Sequence, residues 1–166
     1  MTVLVTCASK HGATTEIAEA LGRELDAHGL DVDVVPADEV GGVERYDAVV
    51  LGSAVYMGNW LAPALALAEA NEQALRGRPT WLFSSGPLGD PPQPDPPDLA
   101  PLAERVGARG HRVFTGRLDR GRLSLGERAV VRMVKAPYGD FRDWEAVADL
   151  ADEIAREVGG GVQSTT

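Results

Sequence analysis

Three stretches of this chain set small, hydroxylated and aromatic residues where they could bind an anion and a flat ring. The first is Ser9-Lys-His-Gly-Ala-Thr-Thr15, placed between an apolar run and a helical period. Hydroxylated residues at a helix N-terminus suit an anion, because the first amides lack partners and the dipole is positive there. Gly12 lets the backbone come close to a phosphate, and Ser9, Thr14 and Thr15 carry hydroxyl donors. The same residues would also make a tight strand-to-helix turn with an N-cap threonine. The second stretch, Gly52-Ser-Ala-Val-Tyr-Met-Gly-Asn-Trp60, sets two aromatics and a methionine among small residues. An amphipathic ring could stack there, or Tyr56 and Trp60 are core aromatics closing the end of a sheet. The third, Ser84-Ser-Gly-Pro-Leu-Gly89, either offers backbone donors to a ring edge or is an ordinary turn. There is no G-x-x-x-x-G-K-[ST], which excludes a nucleotide-triphosphate loop, and no G-x-G-x-x-G followed by a spaced acid.

The elements that would position these stretches follow from periodicity. Val3 to Ala8 is a continuous apolar run, as in a strand buried on both faces. From Thr14 to Ala27 the period changes: Ile17, Ala18, Leu21 and Leu25 form one stripe, and Gly29 ends the helix. Asp31 to Val35 alternates as a second, less buried strand; Asp47 to Ser53 and Thr80 to Ser85 are the third and fourth. A helix from about Leu61 to Arg76 lies between those two, with Pro63 in its first turn. Seven prolines between Gly86 and Pro101 exclude regular structure and read as a long loop. A helix near Leu99–Val106, a fifth strand at Arg112–Thr115, and helices near Ser124–Lys135 and Trp144–Val158 complete the pattern. Alternating strands and helices imply an α/β fold with right-handed crossovers. The expected sheet is five-stranded and parallel, in the order 2-1-3-4-5, with helices on both faces. Ligands then bind beyond the carboxyl ends of strands one and three, where the three stretches lie. One domain over residues 1–158 is expected, with a frayed tail at 159–166.

With 44% hydrophobic and 25% charged residues the composition is that of a globular protein. The net charge of −9 argues against nucleic acid as a partner. The charge is uneven: Arg105 to Lys135 holds nine Lys and Arg against Asp119 and Glu127, so the remainder carries −16. Such a run is a solvated face or a docking surface. The first eight residues read as a strand and no stretch approaches a membrane span, which predicts a cytoplasmic protein. Membrane contact, if any, is peripheral and through residues 105–135. The single cysteine, Cys7, excludes an internal disulfide and the usual multi-cysteine zinc sites, and no metal is expected. It reads as a small buried strand residue, inert without a basic neighbour. Of the histidines, His28 sits at a helix end, His111 adjoins a strand start and should be exposed, and only His11 lies at the predicted site. Asp38 and Glu39 are consecutive acids in a loop.

Ser9-Lys-His-Gly-Ala-Thr14 resembles the flavodoxin phosphate loop, [ST]-x-[ST]-G-x-[ST], with His11 at a position where a hydroxyl residue is usual. Val50 to Gly58, Phe83 to Gly89 and Gly139 to Trp144 extend the resemblance to the flavodoxin subfamily that includes menaquinone-dependent protoporphyrinogen dehydrogenase. The likeness runs from Thr2 to about Glu157. It implies a flavodoxin-like fold and FMN as cofactor. Carried over by position, Ser9, Lys10, His11, Gly12, Ala13 and Thr14 would hold the phosphate. Ala54, Val55, Tyr56, Met57 and Gly58 would pack on the isoalloxazine, and Ser85, Gly86, Pro87, Leu88 and Gly89 would line its pyrimidine edge. The aromatic pair of Asp140-Phe-Arg-Asp-Trp144 is expected to seal the final helix to the sheet.

Flavin chemistry needs positioning and tuning from the protein rather than a catalytic triad, and no catalytic residue is singled out. The resemblance implies an FMN-dependent oxidoreductase that takes electrons from a protoporphyrinogen-like, anionic tetrapyrrole and passes them to a quinone. The alternative is a carrier flavodoxin that shuttles electrons between protein partners. A phospho-receiver on the same fold is excluded, since Thr6-Cys7-Ala8 offers no acidic cluster at the first strand's end.

Overall fold

Val3, Val5 and Cys7 point to one face of a strand, Leu4 and Ala8 to the other, and all are buried. Such a strand must be central. In the computed structural model, which describes residues 2–9, 12–56, 59–85, 99–114, 117–118, 139–140 and 144–163, it is. β1 (Thr2–Ala8) pairs in parallel with β2 (Asp31–Pro36) on one side and β3 (Ala48–Tyr56) on the other. β3 turns back into a two-residue antiparallel strand, β4 (Asn59–Trp60). Beyond β3, the parallel pairing continues through β5 (Thr80–Ser85) to β6 (Gly110–Phe114). The parallel order is β2-β1-β3-β5-β6, the expected arrangement once the short β4 is set aside.

Helices cover both faces. On one face, Ile17, Leu21 and Leu25 of α1 (Ala13–Ala27) and Val147, Leu150 and Ile154 of α5 (Trp144–Gln163) pack on Val3, Val5, Trp81 and Phe83. On the other, α2 (Ala62–Ala70), α3 (Glu72–Arg76) and α4 (Leu99–Val106) bring Leu67, Leu75 and Leu102 onto Leu4, Leu51 and Leu82. α1, α4 and α5 each bury the apolar stripe that their period dictates.

The structure corrects several expected boundaries. The helix expected from Leu61 to Arg76 is two helices. Asn71 breaks it, with φ −123° and its side-chain amide donating to the Leu67 carbonyl at 3.0 Å. The fifth parallel strand begins at Gly110, two residues before the expected start, because Trp81 and Leu82 pair with Gly110 and His111. The last helix continues to Gln163 through three glycines. Glycine lowers helix propensity by about 1 kcal/mol but does not bar helical dihedrals, so a well-packed helix can propagate through it. Asp38 and Glu39 lie in a 3₁₀ turn, Ala37–Glu39. A small antiparallel pair, β7 (Arg117–Leu118) with β8 (Gly139–Asp140), was not foreseen. The helix expected near Ser124–Lys135 lies outside the described residues.

Candidate functional site

The register of the sheet brings the strand ends level. Ala8 pairs with Ser53, Ala54 with Ser85, and Ser85 with Phe114. The three stretches singled out in the sequence therefore leave the sheet at one edge.

At the first, β1 ends at Ala8 and α1 begins at Ala13. Gly12 caps the helix with φ 85°, the left-handed region that favours glycine, and its N–H donates to Ser9 Oγ at 3.0 Å. The first intrahelical bond runs from Glu16 N–H to the Gly12 carbonyl at 3.0 Å. The amides of Ala13, Thr14 and Thr15 thus have no acceptor within the helix, and the positive end of the dipole lies with them. The expected N-cap threonine is absent: Thr14 is buried in the first turn, one residue past the helix start. Thr15 is half-buried in the same turn, and its side chain lies close enough to Cys7 to favour the ionised thiol. Ser9 accepts from Gly12 through its hydroxyl oxygen. Lys10 and His11 lie outside the described residues, as does the side chain of Ala13.

Cys7 is buried, as its place in the strand predicts. Burial pushes its thiol up to about 11, Thr15 opposes this and Glu19 adds to it, so the group is a neutral thiol at ordinary pH.

At the second stretch, Ser53 is the tie. Its hydroxyl donates to the Ala54 carbonyl at 2.8 Å and accepts the Leu61 N–H at 2.9 Å, which fixes where α2 starts. Ala54 and Val55 are half-buried, and Tyr56 pairs with Asn59 across the hairpin. The side chain of Tyr56, with Met57 and Gly58, lies outside the described residues. Trp60 is buried in the core, and its indole N–H donates to Ser84 Oγ at 2.8 Å. Of its two readings, the core one holds. Gly52 is a strand residue whose missing side chain admits the ring of Phe83.

At the third, Ser84 and Ser85 are buried at the end of β5. Gly86, Pro87, Leu88 and Gly89 lie outside the described residues. His111, expected to be exposed, is half-buried with Nε2 2.9 Å from Ser84 Oγ. The earlier start of β6 is the reason: it puts His111 on the face that Leu82 and Ser84 share. Ser53, Ser84 and His111 are the polar residues that sequence reasoning did not assign. A signal existed for the serines, since a hydroxyl inside an otherwise apolar buried strand needs a partner.

The remaining polar candidates are structural. His28 caps α1, with Nε2 2.6 Å from Asp152 Oδ1 of α5. At the described end of the basic stretch, Arg109 pairs with Glu157 at 3.5 Å and Arg112 with Glu153 at 2.7 Å. Acids of α5 therefore offset both charges. Trp144, expected to seal the helix to the sheet, is 44% exposed. It stands at the first position of α5, ahead of the buried stripe that starts at Val147. Among the described residues no helix is long and apolar enough to cross a membrane.

Comparison with known proteins gives a consistent picture. The model of the flavodoxin domain family matches residues 4–144. Protoporphyrinogen IX dehydrogenase [quinone] of Escherichia coli K12 is 24% identical over 172 residues, covering 93% of this chain and 95% of that protein. A flavodoxin from the domain Archaea superposes with a TM-score of 0.65 at 18% identity, covering 96% of this chain and 99% of that one. Rubredoxin oxygen:oxidoreductase of Desulfovibrio gigas gives 0.67 at 14% identity over 97% of this chain. The chain spans only 37% of that larger protein.

Proposed function

The chain belongs to the flavodoxin domain family, whose cofactor is FMN, and from that premise we propose that it is an FMN-dependent oxidoreductase oxidising a protoporphyrinogen-like tetrapyrrole with a quinone as acceptor. The family reading, an FMN-binding oxidoreductase or electron carrier, stands on the match itself. The finer reading is supported by the end-to-end likeness to an Escherichia coli enzyme of that name. In this reading residues 1–158 form one FMN-binding domain.

The observation that carries the cofactor assignment on this chain is Gly12. Its left-handed backbone, at φ 85°, sits between Ser9 and three amides without helical acceptors. A phosphate monoester fits that donor set: the amides of Ala13, Thr14 and Thr15 and the Ser9 hydroxyl all donate toward negative charge, and no side chain at Gly12 stands in the way. Ser53 and Ser84 both tie the end of the second stretch, at Leu61 and Trp60, to the sheet, which would keep it in register with the phosphate loop. One cradle and no dinucleotide fingerprint favour FMN over FAD. When bound, FMN supplies the electron acceptor; the chain's own part is to hold it, orient it and shape access to its ring. Per turnover two electrons and two protons would leave the substrate and reduce a quinone to its quinol.

Absorption of the purified protein tests the cofactor: flavin bands near one per chain are expected, released as FMN on denaturation. Anaerobic addition of a protoporphyrinogen should then bleach those bands, and a quinone analogue should restore them. Bleaching by a reduced protein partner but not by the tetrapyrrole would instead identify a carrier flavodoxin.

A further inference from the structure

We propose that the cavity beside β2 binds a linear aliphatic diamine, with its ammonium groups on Glu39 and Glu44 and its methylenes on Val35, Val40 and Tyr46. The site uses none of the residues assigned to FMN, so binding there stands or falls without the flavin.

The cavity follows from the way β2 connects to β3. Parallel neighbours are usually joined through a helix packed on the sheet. Here residues 37–47 form only the 3₁₀ turn at Ala37–Glu39 and then run back without regular structure. The sheet at Val35 is therefore covered by an irregular segment, where α2, α3 and α4 cover the rest of that face. A cavity of about 450 Å³ is left, lined by Val35, Val40 and Tyr46 together with Glu39, Gly42 and Glu44. Its irregular wall is nonetheless fixed. Val43 and Tyr46 are buried, and the Arg78 guanidinium donates to the carbonyls of Val43, Glu44 and Tyr46 at 2.9, 2.9 and 2.6 Å. A wall held in place beforehand loses little freedom when a ligand binds.

The charges select the ligand. Two cations stand close, and both are engaged away from the carboxylates of the cavity. Arg78 is held by the three carbonyls. Arg45 also lines the cavity, but it stacks on the Tyr46 ring at 4.7 Å and pairs with Asp33 at 3.2 Å. Glu39 and Glu44 are exposed and have no ion-pair or hydrogen-bond partner for their carboxylates among the described residues. Glu44 is folded back on the wall: its Oε2 lies 2.6 Å from where a Cβ on Gly42 would stand. Two unpaired carboxylates around an apolar lining suit two cations joined by an apolar stem. A single ammonium leaves one carboxylate unpaired, and an anion meets repulsion. A linear diamine supplies both ends, each charged at neutral pH as a lysine is.

Titration with 1,4-diaminobutane, followed through the backbone amide resonances, tests the proposal. The amides of Val35, Glu39, Val40 and Tyr46 should shift and saturate, and the neutral 1,4-butanediol should leave them still. Butylamine should bind about threefold more weakly, and Glu39→Gln combined with Glu44→Gln should weaken the diamine by roughly tenfold. The rival account is a diffuse ion cloud, since the chain carries −9. Glu24→Gln combined with Glu104→Gln removes two exposed carboxylates elsewhere, and should change the affinity by less than about twofold. Shifts that fail to saturate by about 20 mM overturn the proposal. So do equal losses in the two double variants, or butylamine binding as tightly as the diamine.

Discussion

The ring of Phe83 on β5 lies where a Cβ on Gly52 of β3 would have to go. The two residues are register partners in the parallel sheet, and Phe83 packs onward against Phe114 with ring centroids 5.9 Å apart. A glycine in a central strand weakens it unless something uses the vacated space. Here an aromatic does. Gly52→Ala should therefore destabilise the protein by about 1–3 kcal/mol through overpacking. Urea denaturation is the check, and Gly52→Ala combined with Phe83→Leu should recover much of the loss, since the two changes share one volume. Additive losses would mean that the ring is not what Gly52 accommodates.

That relationship also marks how far the sequence could be read. The run at Val3–Ala8, the stripe of Ile17, Leu21 and Leu25, and the alternation of strands with helices are local patterns, and each became the element its period predicts. The carboxyl-edge loops followed from topology alone. Gly52 read as the end of the third strand and the head of the second stretch, and its use of space was hidden because its partner, Phe83, is thirty-one residues away. The Ser84–His111 contact was equally invisible, since it depends on the register between β5 and β6. Asn71 ends α2 although the apolar pattern runs on to Leu75, because a side-chain amide that joins the backbone N–H on the Leu67 carbonyl leaves no mark on periodicity. At the site, Thr15 was offered as a donor by type, and its side chain interacts with the Cys7 thiol, a pairing that no local pattern announces.

Gly12→Val should abolish FMN binding while leaving most of the fold's stability in place. A β-branched residue is strongly disfavoured at φ 85°, so the loop must move, and its new side chain would stand among the donors. Flavin fluorescence quenching on titration measures it. Affinity within about twofold of wild type would rule the first loop out as the phosphate cradle.

Thr6 is fully buried between Val35 of β2 and Leu51 of β3, and its hydroxyl has no hydrogen-bond partner among the described residues. A buried unpaired hydroxyl costs about 1–3 kcal/mol relative to an apolar group of the same shape. Thr6→Val should raise stability by about 1 kcal/mol, seen as a higher urea midpoint with unchanged slope. A lower midpoint would show that the hydroxyl has a partner.

Cys7 makes stability depend on alkaline pH, with a sign fixed by its environment. Burial holds the folded thiol at about 11 against an ordinary 9.0. The unfolded chain therefore gives up this proton first. The stabilisation is fully present below about pH 9 and is lost as pH rises through about 11, a total of roughly 3 kcal/mol. Tyr46 acts in the same direction, its hydroxyl pushed up by burial and by its bond to Asp33, so alkaline weakening should not vanish when the thiol is removed. Cys7→Ala should lose stability at neutral pH, because it vacates packed volume, yet fall less steeply than the wild type between about pH 9 and about pH 11. Urea midpoints of the two proteins across that range give the comparison. The same neutral thiol should resist alkylation by iodoacetamide at about pH 8 in the folded protein and react at once when denatured. Parallel midpoint curves for wild type and Cys7→Ala, together with rapid alkylation of the native state, would show a thiol that ionises freely and is not sealed beneath the first loop.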